Sequence, residues 1–319
     1  MPPCCLLIAV AAIVGGIERG EVAFRATTDE ASIPAQFRLD SATFRFELEP
    51  LRETAAYKVS ALRFPSPIET PDLENNTVHA EYFQPKVSGK RPAVIVLHIL
   101  GADFALSRFL AARLADRGVA ALFVKLPYYG ERRPAGQDRR FLSVDIPRSV
   151  QSMRQGVCDV RRAASWLATR QNVDTAKLGI TGISLGGIVS ALAAEVDPTL
   201  NQTALMLAGG DLAHILWTMP EGAKYRQLWI DSGRTKEDLA ALTLPFDPVT
   251  HAGRLRGKRV FMLAGNVDEV IPPESALALW KAAGKPPIHW MDCGHYSAAG
   301  YLLPAMREVV DFFAGGETP

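Results

Sequence analysis

Cysteine is scarce: four in 319 residues, with no Cys-x-x-Cys pair and no His/Cys cluster at zinc spacing, which excludes a disulfide framework and gives no metal site. Charge of one sign is equally scarce. The 35 Lys plus Arg stand against 34 Asp plus Glu, a formal +1, so electrostatics offers no case for nucleic acid or an acidic surface as partner. Residues 4–17 are almost wholly apolar, yet too short for a comfortable membrane span, so no stable span is expected. The run resembles the h-region of a secretory signal, although no Lys or Arg precedes it and the cleavage site is indistinct. The expectation is export, to the periplasm or the medium, with residues 1–23 removed and the cytoplasm as the alternative. Internal repeats and low-complexity tracts are absent. What the chain does have is 48% hydrophobic residues, enough to fill a substantial core at this length.

In chain order, residues 18–40 show no clear period and read as a linker followed by irregular structure. Alternation at Phe44 and Phe46, then residues 57–64 and 77–83, bounded by Pro and Asn clusters, predict two or three antiparallel strands. Residues 24–76 thus form an N-terminal extension with strands, and residues 77–315 the main domain. Continuous aliphatic runs at 93–97 and 119–126 predict strands buried on both faces. The helix between them has Asp103 as its expected cap, Leu106, Phe109, Leu110 and Leu114 on its inner face, and Gly118 as its stop. Val150, Met153, Val157, Val160, Ala164 and Leu167 recur at three and four residues, an inward helical stripe beside which Cys158 reads as a buried, inert thiol. Further strands are expected at 178–181, 204–207, 259–263 and 288–291. A helix follows at 274–283, and a closing helix turns Leu302, Leu303, Met306, Val309, Val310 and Phe313 inward. Strand and helix alternate, so the fold class is α/β with a doubly wound, mostly parallel sheet. Residues 211–253 break that rhythm with Trp217, Met219, Tyr225 and Trp229 among charges, and read as a lid-like insertion at the carboxyl edge of the sheet.

The chain is organised around residues 177–190, KLGITGISLGGIVS, a strand, a sharp turn and a helix. Gly-x-Ser-x-Gly in that setting is a nucleophile elbow, in which a strained turn lifts Ser184 Oγ clear of the sheet and Gly182 and Gly186 admit neighbouring backbone. A serine hydroxyl needs a base, and the base an orienting carboxylate. Of the six histidines, His79, His98, His214, His251 and His289 sit in strands or in the insertion. His295 follows the last strand in DCGHYS, at the edge where the elbow emerges, and is the expected base. Asp268, in the loop after the strand RVFMLAG, is the expected acid, with Asp211 as competitor. The oxyanion needs backbone donors: Leu185 N–H at the start of the elbow helix, and a second in His98-Ile99-Leu100-Gly101, for which Leu100 is chosen and Ile99 is next.

These residues together resemble the α/β-hydrolase superfamily, and within it the dienelactone hydrolase, acetyl esterase and prolyl-oligopeptidase-like group. The resemblance spans roughly residues 78–313 and rests on GISLGG, GNVDEVIPP and CGHYS in that order, each after a strand. It implies a Ser-Asp-His hydrolase with neither metal nor organic cofactor. The chain departs from the family at HILG, where Ile99 and Leu100 replace small residues. Dienelactone hydrolases commonly carry a cysteine nucleophile, so serine here favours esters. The loop YYGERRP opens at the same edge: Tyr128 and Tyr129 are candidates for a substrate platform, and Arg132 or Arg133 for pairing a substrate carboxylate. The expected partner is a small-molecule ester with a small or medium acyl group. The alternatives are a peptidase of the prolyl-oligopeptidase kind, for which about 80 preceding residues are too few to build a propeller, and a non-catalytic hydrolase-fold binding protein.

Overall fold

The computed structural model describes residues 10–14, 16–26, 30–101, 104–143 and 145–316. The chain starts as an antiparallel meander: β1 (Val10–Val14), β2 (Ile17–Phe24), β3 (Ala42–Glu53), β4 (Tyr57–Pro65) and β5 (Thr77–Pro85). Period-two alternation turns Phe44, Phe46 and Leu48 of β3 inward. There Phe46 meets Trp166 edge-on at 5.9 Å, and Tyr82 of β5 meets the same indole at 5.1 Å. β2 corrects the expectation of a linker over residues 18–40. It pairs with β3 from Glu18↔Leu48 to Phe24↔Ala42 and buries Val22 and Phe24. Two inward residues around Gly20 are too few to show a period in sequence. In the segment expected to be a signal, Val10–Val14 is a strand, while residues 1–9 and 15 lie outside the described residues.

The second half alternates strand and helix: β6 (Arg91–Leu97), α1 (Ala105–Asp116), β7 (Ala120–Val124), α2 (Ile146–Ala168), β8 (Val173–Ile183), α3 (Leu185–Val196) and β9 (Gln202–Met206). α2 starts at Asp145, whose side chain accepts from the Arg148 N–H at 3.2 Å. α1 stops at Gly118, at φ 77°. Its expected cap, Asp103, lies outside the described residues. After the helices α4 (Leu212–Thr218), α5 (Ala223–Asp231), α6 (Lys236–Thr243) and α7 (Pro248–His251), the chain returns through β10 (Arg259–Gly265), α8 (Pro273–Ala282), β11 (Ile288–Met291) and α9 (Leu302–Phe313). All strands join one sheet in the order β1-β2-β3-β4-β5-β7-β6-β8-β9-β10-β11, parallel from β7 to β11. β6 and β7 sit in the middle of the sheet, between packed helices, which is why their residues are aliphatic on both faces.

Two inward expectations fail at helix surfaces: Phe109 of α1 is 43% exposed and Leu303 of α9 is 56% exposed. The inner face of α9 carries Phe312 instead, stacked on Phe261 of β10 at 5.9 Å. Residues 211–253 form a helical layer whose two ends are joined by Asp247. Its carboxylate accepts from the backbone N–H groups of Asp211, Leu212 and Val249 at 3.0, 2.5 and 2.9 Å. No helix among the described residues is long and apolar enough to cross a membrane.

Candidate active site

β8 ends at Ile183 and α3 begins at Leu185, and Ser184 between them is held at φ 54°, ψ −118°. A non-glycine residue at that φ is strained and must be over-determined by its surroundings. Here it is: Ser184 N–H donates to Met206 O at 2.9 Å, and neighbouring glycines admit backbone that no side chain would allow. A Cβ at Gly182 would lie 2.3 Å from the Gly186 carbonyl, and one at Gly186 would lie 2.6 Å from His98 O and 2.7 Å from Leu97 O. The glycines on either side of Ser184 are therefore required by backbone-on-backbone contact.

His295 lies between the hydroxyl and a carboxylate. Its Nε2 is 2.9 Å from Ser184 Oγ, and its Nδ1 is 2.8 Å from Asp268 Oδ2. A carboxylate accepts, so Nδ1 carries the proton and Nε2 turns its lone pair to the serine. Asp268 is buried, and its Oδ1 also accepts the Val270 and Ile271 N–H groups at 2.9 and 2.7 Å, which fixes its orientation. Asp211 is engaged elsewhere: at φ 57° it caps α4 by accepting from His214 N–H. His289 meets Glu308, and His251 meets Pro245 O.

Leu185 is the first residue of α3, so its N–H has no acceptor within the helix and points with the helix dipole toward the Ser184 side. The facing loop is braced by His98. Leu126 N–H donates to His98 Nε2 at 3.0 Å, so Nδ1 carries the proton and donates to Ile99 O at 2.7 Å. The 99–100 peptide is planar and trans, and with Ile99 O turned to the imidazole the Leu100 N–H points the opposite way. Burial pushes the His98 imidazole down to about 4, consistent with a neutral brace. A second tether is Tyr129, whose hydroxyl accepts from Gly101 N–H at 3.3 Å. A third feature unread in the sequence is Glu269, whose Oε2 accepts the His295 N–H at 2.9 Å. Gly294 makes room for it, since a Cβ there would meet Oε2 at 2.4 Å. The adjacent Glu in GNVDE and Gly in CGHYS were the traces of this clamp.

A cavity of about 490 Å³ opens beside Leu100 and Gly101. Of the four candidates in YYGERRP, Tyr129 and Arg133 line it. Arg132 corrects an expectation: it is 0% exposed, paired with Asp159 at 2.8 Å and donating to Lys125 O and Asn75 O. Tyr128 does not line the cavity either; its N–H donates to Asn75 Oδ1, and its ring lies under Arg148 at 5.4 Å. The turn Gly130–Arg132 is a 3₁₀ helix, which sends neighbouring side chains in different directions and turns Arg132 into the core. Among the described residues no cluster of His, Cys, Asp and Glu is arranged to hold a metal ion.

Comparison with known proteins bears on this arrangement. A prolyl oligopeptidase family model matches residues 151–299. Two uncharacterized proteins of Mycobacterium tuberculosis are 27% and 26% identical over 211 residues, 64% of this chain. The chain spans about half the length of the first (50%) and 62% of the second. Among solved structures, acetyl xylan esterase 1 from Thermoanaerobacterium sp. is similar with a TM-score of 0.65 at 20% identity, over 85% of this chain and 87% of that one. An acetyl xylan esterase from Paenibacillus sp. R4 has a TM-score of 0.67 at 17% identity, over 90% and 95%. Likeness at that identity establishes the shared fold. The family model described as alpha/beta hydrolase domain containing 18 matches residues 34–211, more than half of the sequence, and the chain belongs to that family of α/β-hydrolases.

Proposed function

We propose that this hydrolase cleaves carboxylic esters through an acyl-enzyme on Ser184. The observation that carries the reading is the continuous line Ser184 Oγ, His295 Nε2, His295 Nδ1, Asp268 Oδ2, with steps of 2.9 and 2.8 Å. Ser184 Oγ attacks the ester carbonyl while its proton passes to His295 Nε2, and Asp268 stabilises the imidazolium. Leu185 and Leu100 N–H groups receive the oxyanion, each contributing about 3 kcal/mol to the transition state. When the tetrahedral intermediate collapses, the C–O bond to the leaving alcohol breaks and His295 returns the proton to that oxygen. Water, deprotonated by His295, then attacks the acyl-enzyme; the acid departs and Ser184 regains its proton.

The acetyl xylan esterases similar in fold support an ester over an amide substrate. The peptidase reading keeps one observation in its favour, the prolyl oligopeptidase match over residues 151–299. The test is turnover of p-nitrophenyl acetate alongside labelling by a fluorophosphonate. Ser184→Ala is expected to lower kcat by roughly 10⁶ and to abolish the adduct. Full turnover by that variant would refute the mechanism, and cleavage of prolyl amides in preference to esters would favour the peptidase.

A further inference from the structure

The cavity beside Leu100 and Gly101 is larger and more apolar than an acetyl ester requires. Its 490 Å³ lies within the range that encloses drug-sized ligands. Val150 and Met153 of α2 line one side, and Leu216, Trp217 and Trp229 of the helical insertion line the other. Two parts of its lining adjoin the candidate active site. One is the Leu100–Gly101 end of the braced loop. The other is Glu221, which accepts from the hydroxyl of Tyr296, the residue after His295.

The charged groups lining the cavity are mainly cationic. Arg133, Arg140 and Arg226 line it, with Glu221 as the only carboxylate among the described lining residues. Arg133 lies over the ring of Tyr129, 5.9 Å from its centroid, and the Tyr129 hydroxyl is the one that tethers Gly101. Arg133 Nε and Arg226 Nη1 donate to backbone carbonyls of Tyr128 and Trp217. Among the described residues neither forms an ion pair with an acid, whereas Arg140 pairs with Asp138. A guanidinium on an apolar wall with donors to spare is matched by a carboxylate.

We propose that the cavity receives an ester with a long apolar chain that bears a carboxylate, the chain lying between α2 and the insertion and the carboxylate at Arg133. The inference rests on the esterase reading for its chemistry, but binding tests it apart from turnover. The full chain carrying Ser184→Ala is titrated with monomethyl sebacate, dimethyl sebacate and methyl acetate, following tryptophan emission. Saturable binding of monomethyl sebacate is expected, with dimethyl sebacate roughly tenfold weaker and methyl acetate without effect. Trp217→Phe in that background reduces the emission change, Val150→Phe weakens both sebacates by filling the chain's place, and Arg133→Gln brings monomethyl sebacate down to the dimethyl level. Failure of both sebacates to bind overturns the proposal, as does equal binding of the two that Arg133→Gln does not alter. Turnover of p-nitrophenyl acetate without sebacate binding refutes this inference alone; sebacate binding with no fluorophosphonate adduct on the wild type refutes the esterase reading and leaves the cavity assignment standing.

Discussion

The nucleophile elbow and the helical insertion are two sides of the molecule built by different rules. On the elbow side, backbone packs on backbone: Gly182, Gly186 and the 97–98 carbonyls leave no room for a single methyl group. On the insertion side, α4, α5 and α6 hold together through a small separate cluster of Ala213, Trp229 and Leu239, and Tyr225, Leu228 and Ile230 stand exposed. The candidate catalytic groups are on the side that cannot adjust, while much of the cavity lining is on a layer that joins the main core through Leu212, Ile215 and Phe246 and is pinned by the Asp247 carboxylate.

The sharpest way to break this contrast is at the rigid side's acid. Asp268→Asn leaves an acceptor for Val270 and Ile271 N–H but lets the imidazole adopt the wrong tautomer, and kcat is expected to fall by about 10⁴ with little change in KM. Steady-state kinetics on an activated ester measure it, and a loss below tenfold would show that Asp268 does not orient His295.

The same substitution made on both sides comes next. Gly186→Ala forces a methyl group to within 2.6 Å of His98 O, so a loss of about 4 kcal/mol or more is expected, together with turnover in whatever folds. Gly253→Ala, at the insertion's root, meets nothing within 4 Å and should change Tm by no more than about a degree. Equal losses in thermal melts would erase the distinction between the two sides.

The braced loop adds a pH test. His98 is neutral in the fold, with its pKa lowered from 6.5 to about 4, so below 6.5 the unfolded chain takes up a proton that the native chain refuses. Stability is full above 6.5 and is lost as pH falls toward 4, by about 3 kcal/mol from this group at 1.36 kcal/mol per pK unit. Urea melts of the wild type and of His98→Asn between pH 7 and 4 read the difference, and parallel curves would show that the brace does not titrate this way.

The elbow and its neighbours were legible because each motif stands at the end of a strand whose aliphatic run identifies it, so the alternating order of strands brings Ser184, Asp268 and His295 to one edge without any knowledge of packing. Steric requirement is also local, which is why Gly182 and Gly186 could be read from five residues. What could not be read depends on partners far away in the chain. Arg132 looks like its neighbour Arg133 until Asp159 and Asn75 take it into the core. His98 looks like a spare histidine until Leu126 N–H reaches it, and Glu269 like a surface acid until His295 N–H does. β2 becomes a strand because β3 offers an edge, since its own alternation is two residues long.

Glu195 lies where the two sides join, and its replacement is expected to give a modest gain in stability. It sits near the end of α3, fully enclosed, and neither carboxylate oxygen has a hydrogen-bond partner among the described residues. Burial, helped by the nearby Asp247 carboxylate, raises its pKa well above 4.5, against the pull of Lys258, itself lowered by burial to about 8. The native chain therefore keeps a proton that the unfolded chain releases above 4.5, so this group costs stability increasingly as pH rises from 4.5 toward its native pKa. Glu195→Leu removes an enclosed, unpartnered carboxyl from an apolar helix face, and should stabilise by about 1–2 kcal/mol at pH 7, a gain of roughly 2–4 °C in Tm. The gain should shrink as pH approaches 4.5, because there the unfolded chain holds the proton as well. Thermal melts at pH 5 and pH 8 measure both the gain and its slope; destabilisation at pH 8 would mean that Glu195 is ionised and paired, and that the junction of elbow helix and insertion is held by charge.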